Sequence, residues 1–224
     1  MVHVKACPLC DSHSFSFLYE TKDRMFELPG KFGMNQCDDC HALFLSPRPT
    51  DKQLAAYYPK ENYYAYQTSG GGFFGTLRNY LITRYYKPTF LSAMISTIVH
   101  NVPALPTKQS GGRVLDVGCG TGETLCMLKT LGFDVYGMDI DQKVVSIAKK
   151  RGVTYVRVGA YEDIAKYDNG FFDVIRLYRV IEHLDDPLRC IELLYKKLKK
   201  RGRIDNRYPK SIKHYSSIVW SVLV

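Results

Sequence analysis

The stretch Arg113-Val114-Leu115-Asp116-Val117-Gly118-Cys119-Gly120-Thr121-Gly122 reads as a buried strand running into glycines. Glu123 to Leu131 follows with helical periodicity, and Gly132 is a C-terminal stop. Glycines let a backbone approach a ligand closely, and a helix N-terminus favours an anionic group. The spacing is Gly-x-Gly-x-Gly, with Glu123 where a dinucleotide fingerprint has its third glycine, so a pyrophosphate is less well served. Asp116, two residues before the first glycine, can instead orient a cationic amine.

Reading outward, Phe133-Asp134-Val135-Tyr136-Gly137-Met138-Asp139-Ile140 is a second strand whose acid falls 21 residues after Gly118, where a carboxylate can accept both ribose hydroxyls. An alternative use of Asp139 or Asp141 is to cap the helical run Lys143 to Arg151. Val153 to Val158 and Phe171 to Ile175 add further strands. Strands alternating with helices predict an α/β, Rossmann-like parallel sheet with right-handed crossovers.

Four of the seven cysteines form two knuckles, Cys7-Pro8-Leu9-Cys10 and Cys37-Asp38-Asp39-Cys40. Two such turns aim four thiolates at one ion, which suits a structural Zn²⁺ with no open coordination position. His41 could replace a thiolate, and two disulfides are the alternative chemistry. Cys119, Cys126 and Cys190 read as buried small residues. Strands at Phe15 to Tyr19 and Ala42 to Leu45 make residues 1–49 a zinc ribbon. Residues 50–110 are a connecting segment, with Tyr57, Tyr58, Tyr63, Tyr64 and Tyr66 followed by an amphipathic stretch from Phe73 to His100. A Pro/Gly/Ser-rich run from Pro103 to Gly112 ends it, and residues 111–224 form the Rossmann-like domain.

Val114 to Gly122, Asp139, and Phe172-Asp173-Val174-Ile175 followed by Val180-Ile181-Glu182-His183-Leu184-Asp185-Asp186-Pro187 together resemble a class I S-adenosylmethionine-dependent methyltransferase. The ribbon, with Leu45 to Thr50 and the tyrosines, resembles the front end of bacterial methyltransferases associated with sugar or polysaccharide modification. The resemblance implies S-adenosylmethionine as cofactor. It sets Asp116, Gly118, Cys119 and Gly120 at the methionine part, Asp139 at the ribose and Ile140 on adenine. The segment Gly159 to Ile164 passes the adenine edge, where Ala160 stands in place of the usual acid and either Glu162 or Asp163 substitutes or backbone groups alone read the base. Leu177-Tyr178-Arg179 borders the reactive methyl, and His183 is the candidate catalytic base. A turn that merely positions the next helix is the alternative role for the Glu182-His183 pair.

That next helix has Asp186 as cap, Pro187 in the first position, a buried stripe of Leu188, Ile191, Leu194, Tyr195 and Leu198, lysines facing solvent, and Gly202 as its stop. Beyond it, Asp205, Asn206 and Arg207 interrupt the apolar run expected of a central parallel strand, and the remaining chain is too short for a seven-stranded sheet. A truncated or altered form of a longer methyltransferase is therefore expected, incomplete at its C-terminal side.

Net charge is +9, but residues 195–224 hold nine Lys/Arg against one acid, which leaves the first 194 residues at +1. No general nucleic-acid footprint follows. The longest uncharged apolar run, Pro88 to Val99, is 12 residues, too short to span a bilayer, and the first residues carry no signal-peptide stretch. The chain is thus expected to be cytoplasmic, without a membrane partner, and to methylate a small-molecule acceptor such as a sugar or saccharide intermediate. The alternatives are an RNA methyltransferase and a non-catalytic cofactor-binding module. Oligomeric state and acceptor atom are not legible.

Overall fold

The computed structural model describes residues 1–24, 27–50, 53, 57, 112–184, 186–206 and 219–220. The tyrosine cluster from Tyr58 to Tyr66, the amphipathic stretch and the Pro/Gly/Ser-rich run lie outside them. Two compact units emerge, one of Met1–Tyr63, Arg179–Ile191 and Tyr208–Val224, the other of Tyr64–Tyr178 and Glu192–Arg207. No helix among the described residues is long and apolar enough to cross a membrane.

In the first unit, β1 (Phe15–Thr21), β2 (Phe32–Cys37) and β3 (Leu43–Leu45) form an antiparallel meander. The two-residue strand Val219–Trp220 joins β3 in parallel and extends this sheet. β2 escaped the sequence reading because Gly33, Asn35 and Gln36 break the apolar pattern. Asn35 is nonetheless buried, and its Nδ2 donates to the carbonyls of Gly33 and Ser46 at 2.9 and 3.2 Å. Two small apolar clusters hold the sheet. One joins Cys7, Cys37, Ala42 and Phe44, with Val4, Leu9, Phe15 and Leu184 packed against them; the other joins Phe32, Met34 and Leu45.

The second unit is a Rossmann-like α/β fold. β4 (Arg113–Val117), β5 (Asp134–Asp139), β6 (Tyr155–Val158), β7 (Phe172–Leu177) and β8 (Leu198–Asn206) form one sheet in the order β6-β5-β4-β7-β8, every neighbour parallel. The chain moves outward from β4 through β5 and β6, then returns to the other side of β4. This reversal opens a crevice at the carboxyl ends of the strands, where ligands of such sheets bind. α1 (Glu123–Thr130) and α2 (Gln142–Lys150) bury Leu125, Leu128, Val145 and Ala148 against Val114, Val135, Val156 and Val174. Successive strand residues face opposite ways, so Val114, Val135, Val156 and Val174 pack on these helices while their neighbours Leu115 and Ile175 are buried on the other face.

The helix after the Asp-Asp-Pro turn differs from expectation. α3 (Pro187–Lys197) ends five residues before Gly202, and β8 runs through that glycine. The β7/β8 register passes from Phe172↔Leu198 to Val174↔Arg203, an irregularity that absorbs Gly202 within the strand. Leu188 and Tyr195 are exposed, whereas Cys190, Leu194 and Lys197 are buried. Lys197 does not face solvent: its Nζ donates to the Tyr167 carbonyl at 2.7 Å and to Asn169 Oδ1 at 2.9 Å. Three oxygens, counting the Ala165 carbonyl at 3.3 Å, satisfy its three ammonium donors.

Candidate active site and metal site

The glycine loop is tied to the end of β5 on both sides. The N–H groups of Gly118 and Cys119 donate to the Met138 carbonyl at 2.8 and 3.1 Å, and the Gly120 N–H donates to Asp139 Oδ2 at 2.9 Å. The other oxygen, Asp139 Oδ1, accepts from the Asp141 N–H at 3.0 Å. Burial raises the Asp139 carboxyl, and these N–H donors oppose the rise. Each oxygen keeps a second lone pair, so acceptor capacity remains for a pair of hydroxyls. The question of which acid caps α2 is answered by Asp141, whose carboxylate accepts from the Lys143 N–H at 2.7 Å. Asp139 is left at the mouth of the crevice, and the next residue, Ile140, is 79% exposed.

Thr121 is clamped from below. Arg151 Nη1 donates to its Oγ1 at 2.9 Å and to its carbonyl at 3.2 Å. Gly122 takes φ of +74°, and a Cβ there would stand 2.8 Å from Ala148 Cβ, so only glycine lets α1 start against α2. We expect Gly122→Val to destabilise the fold by about 3 kcal/mol through left-handed strain and overpacking. Urea unfolding of the two proteins measures it.

Asp116 is buried, and Arg176 Nη1 donates to both of its oxygens, at 2.9 Å to Oδ1 and 2.7 Å to Oδ2. The two residues are register partners on β4 and β7. Burial pushes the Asp116 carboxyl up, and the guanidinium opposes it. The sequence reading singled out Asp116 but missed Arg176, although a lone arginine inside the apolar run Val174-Ile175-Arg176-Leu177 is itself a signal for a buried acid nearby.

The other candidates occupy distinct settings. Cys119 is buried, and burial drives its thiol far upward, so it is an inert wall of the loop rather than a nucleophile. Leu177 is fully buried at the end of β7. The Gly159 N–H donates to the Asp139 carbonyl at 3.0 Å, which brings the segment 159–166 to the same strand end. Tyr161–Lys166 is a short 3-10 helix, and Asp163 serves it by accepting from the Ala160 N–H and pairing with Lys166. Lys166 chiefly holds the Asp163 carboxyl below the usual range. Glu162 is exposed.

His183 belongs to the first unit, in the short helix Ile181–His183, and its neighbour Leu184 packs on the Cys7, Cys37, Ala42 and Phe44 cluster. Burial pushes its ring down to about 4, so it is neutral at pH 7. The unfolded chain, with an ordinary imidazole near 6.5, binds more protons than the folded one between those values. Stability should therefore fall as pH drops from about 6.5 towards 4, and His183→Gln should flatten that decline; thermal melting across the window measures both.

The ribbon cysteines converge. All four Sγ atoms of Cys7, Cys10, Cys37 and Cys40 lie within 4.8 Å of one another, with Cys7 to Cys40 at 3.6 Å and Cys10 to Cys37 at 3.5 Å. A tetrahedral zinc with Zn–S bonds of about 2.3 Å has S···S edges of about 3.8 Å, so the donor set fits that ion. Backbone N–H groups of Cys40 and Asp39 hold the Cys37 thiol at about 7. Burial raises Cys40 to about 12. Ser14 and Ser16 hydroxyls donate to Asp38 at 2.7 and 2.9 Å and brace the second knuckle against β1.

A family model described as "Methyltransferase domain" matches residues 90–212. The chain belongs to this methyltransferase-domain family. A ubiquinone biosynthesis O-methyltransferase of Xanthomonas oryzae pv. oryzae (strain PXO99A) is 35% identical over 101 residues, covering 42% of this chain and 42% of its own length. One with the same name from Xanthomonas campestris pv. campestris (strain B100) is 35% identical over 100 residues, covering 42% and 41%. The chain spans about two-fifths of the length of the curated relatives it matches. Among solved structures, a SAM-dependent methyltransferase of Thermotoga maritima, described as a possible histamine N-methyltransferase, shares 26% identity over 59% of this chain and 56% of its own, with a TM-score of 0.37.

Proposed function

We propose that the chain is an S-adenosylmethionine-dependent methyltransferase acting on a small-molecule acceptor, a sugar or saccharide intermediate, with a structural zinc in its ribbon. The observation that carries the reading is the half-buried Asp139 carboxylate at the strand end, flanked by the glycine loop on one side and exposed Ile140 on the other. The name of the Xanthomonas relatives supports a small-molecule acceptor and an oxygen as the methylated atom. The ribbon's resemblance to sugar-associated methyltransferases supports the saccharide class. In this reading residues 1–49 are the zinc ribbon, 50–110 the connecting segment and 111–224 the cofactor-binding domain.

The bound cofactor supplies an electrophilic methyl group on a sulfonium, and the chain has to align an acceptor and exclude water. Gly118, Cys119 and Gly120 offer close backbone approach to the methionine part, with Asp116 behind them. Asp139 accepts the ribose hydroxyls, Ile140 covers one adenine face, and Glu162 and Asp163 stand at the adenine edge. Leu177 gives a dry wall near the methyl. His183, neutral at pH 7, is the base that takes the acceptor's proton in this scheme. Cysteine usage supports a reducing, cytoplasmic setting.

The test is methyl transfer from radiolabelled S-adenosylmethionine to parallel panels of saccharide intermediates, other hydroxylated small molecules and RNA. Label on a saccharide acceptor supports the reading. Label on RNA alone, or cofactor binding without transfer to any panel, overturns it.

A further inference from the structure

The cofactor reading gives no part to Arg151, although its guanidinium reaches the glycine loop. The rest of the loop is held by β5 and by its own turn. The Met138 carbonyl holds Gly118 and Cys119, Asp139 holds Gly120, and the Gly122 N–H donates to the Cys119 carbonyl at 3.1 Å. Thr121 takes no share in these contacts. Among the described residues its N–H has no acceptor, and its hydrogen bonds run to Arg151 alone, through Oγ1 at 2.9 Å and the carbonyl at 3.2 Å.

Local sequence does not require this contact. Arg151 ends the basic run Lys149-Lys150-Arg151 at the C-terminus of α2, where a cation is favoured in any outward pose. Lys149 and Lys150 are exposed, whereas Arg151 is half-buried and turned in. Its backbone is anchored from α1: the Cys126 thiol donates to the Arg151 carbonyl at 3.6 Å, and Lys129 Nζ donates to the Gly152 carbonyl at 2.8 Å. α2 thus grips the loop from both ends. At its start Asp141 caps the helix and donates its N–H to Asp139, which holds Gly120; at its end Arg151 holds Thr121. Gly120 and Gly122 take φ of +53° and +74°, so Thr121 sits between two left-handed glycines. Such residues adopt many conformations, and the turn keeps one shape only while Thr121 is held.

We propose that Arg151 is a positioning residue of the cofactor site. By gripping Thr121 it fixes the shape of the glycine loop and the direction of the Thr121 N–H, and so pre-organises the part of the pocket that takes the amino-acid end of the ligand. The inference rests on the cofactor reading above. A loop already held in its bound shape loses less freedom when the ligand arrives, so the arginine raises affinity without touching the ligand. Its effect falls on the part of the ligand that the loop contacts. The ribose and base fall instead to Asp139 and Ile140, at and just beyond the end of β5.

The test uses the zinc-loaded full chain and two probes titrated calorimetrically. S-adenosylhomocysteine carries the amino-acid end, and 5′-methylthioadenosine lacks it. Arg151→Met keeps an aliphatic stem and removes the donors, so it should weaken S-adenosylhomocysteine about 5-fold and leave 5′-methylthioadenosine within about twofold. Arg151→Lys, whose ammonium has donors for both acceptors, should recover most of the loss. Thr121→Val removes one of the two acceptors and should weaken S-adenosylhomocysteine about 2- to 3-fold, while the double variant loses no more than Arg151→Met alone. Its split between the probes carries the test should the methionine variant fold poorly. Equal weakening of both probes, no weakening of either, or losses that multiply in the double variant overturn the proposal. Wild-type protein that binds neither probe overturns the cofactor reading itself, a result distinct from the others.

Discussion

Stripping the ribbon of metal with a chelator, or replacing Cys37 by serine, is expected to unfold β1–β3 while β4 to β7 stay folded. Among the described residues the ribbon's apolar support is slight: its two clusters are small, and buried Cys7 and Cys37 are themselves members of one of them. Structural zinc in such modules contributes roughly 10 to 16 kcal/mol of apparent folding free energy, as much as the stability of a whole domain. Without the ion, four thiols within 4.8 Å gain only weak S–H hydrogen bonds, and the Ser14 and Ser16 contacts to Asp38 cannot close the knuckles alone. Leu184 packs on the same cluster, so the turn bearing His183 should loosen with it. Hydrogen exchange reads the outcome by region. Protection lost in β1–β3 and residues 181–184 but kept in β4 and β5 is the expected pattern, and unchanged protection in β2 would contradict a structural metal.

Asp139→Ala should weaken cofactor binding by about 10²-fold or more. Hydrogen bonds to a charged group contribute about 1.5 to 3 kcal/mol each, and two ribose hydroxyls would be lost together, at about 1.4 kcal/mol per tenfold. The substitution also strips the Gly120 and Asp141 N–H groups of their acceptor, so the glycine loop loses its tie to β5. Asp139→Asn separates the two effects. Its amide keeps one acceptor oxygen but presents a donor to the other N–H, so affinity should fall to an intermediate value with little change in melting temperature. An alanine variant that binds as tightly as the parent would remove Asp139 from the site.

Much of this architecture can be read from the chain because parallel strands are covered on both faces. Val114-Leu115, Val135 and Val174-Ile175 are therefore apolar without needing their neighbours to explain them. Helix caps were nearly as plain, and the structure only had to choose Asp141 over Asp139 for α2. The proximity of Gly120 and Asp139 follows from the strand-loop-helix-strand order itself. Other features depend on partners far along the chain. Asp116 and Arg176 are 60 residues apart, and only register joins them. Asp205 makes β8 look unlike a strand until Arg176 stands beside it. Lys197 reads as a solvent lysine until the carbonyls of Ala165 and Tyr167 and the amide of Asn169 close around its ammonium. β2 hides for the same reason, since Asn35 is tolerated inside only through the Gly33 and Ser46 carbonyls.

The most direct measurement of the central claim is calorimetric titration of folded, zinc-loaded protein with S-adenosylmethionine. Saturable binding of one equivalent per chain, abolished or strongly weakened in Asp139→Ala, is the predicted result. A well-folded protein that takes up no S-adenosylmethionine would contradict the account.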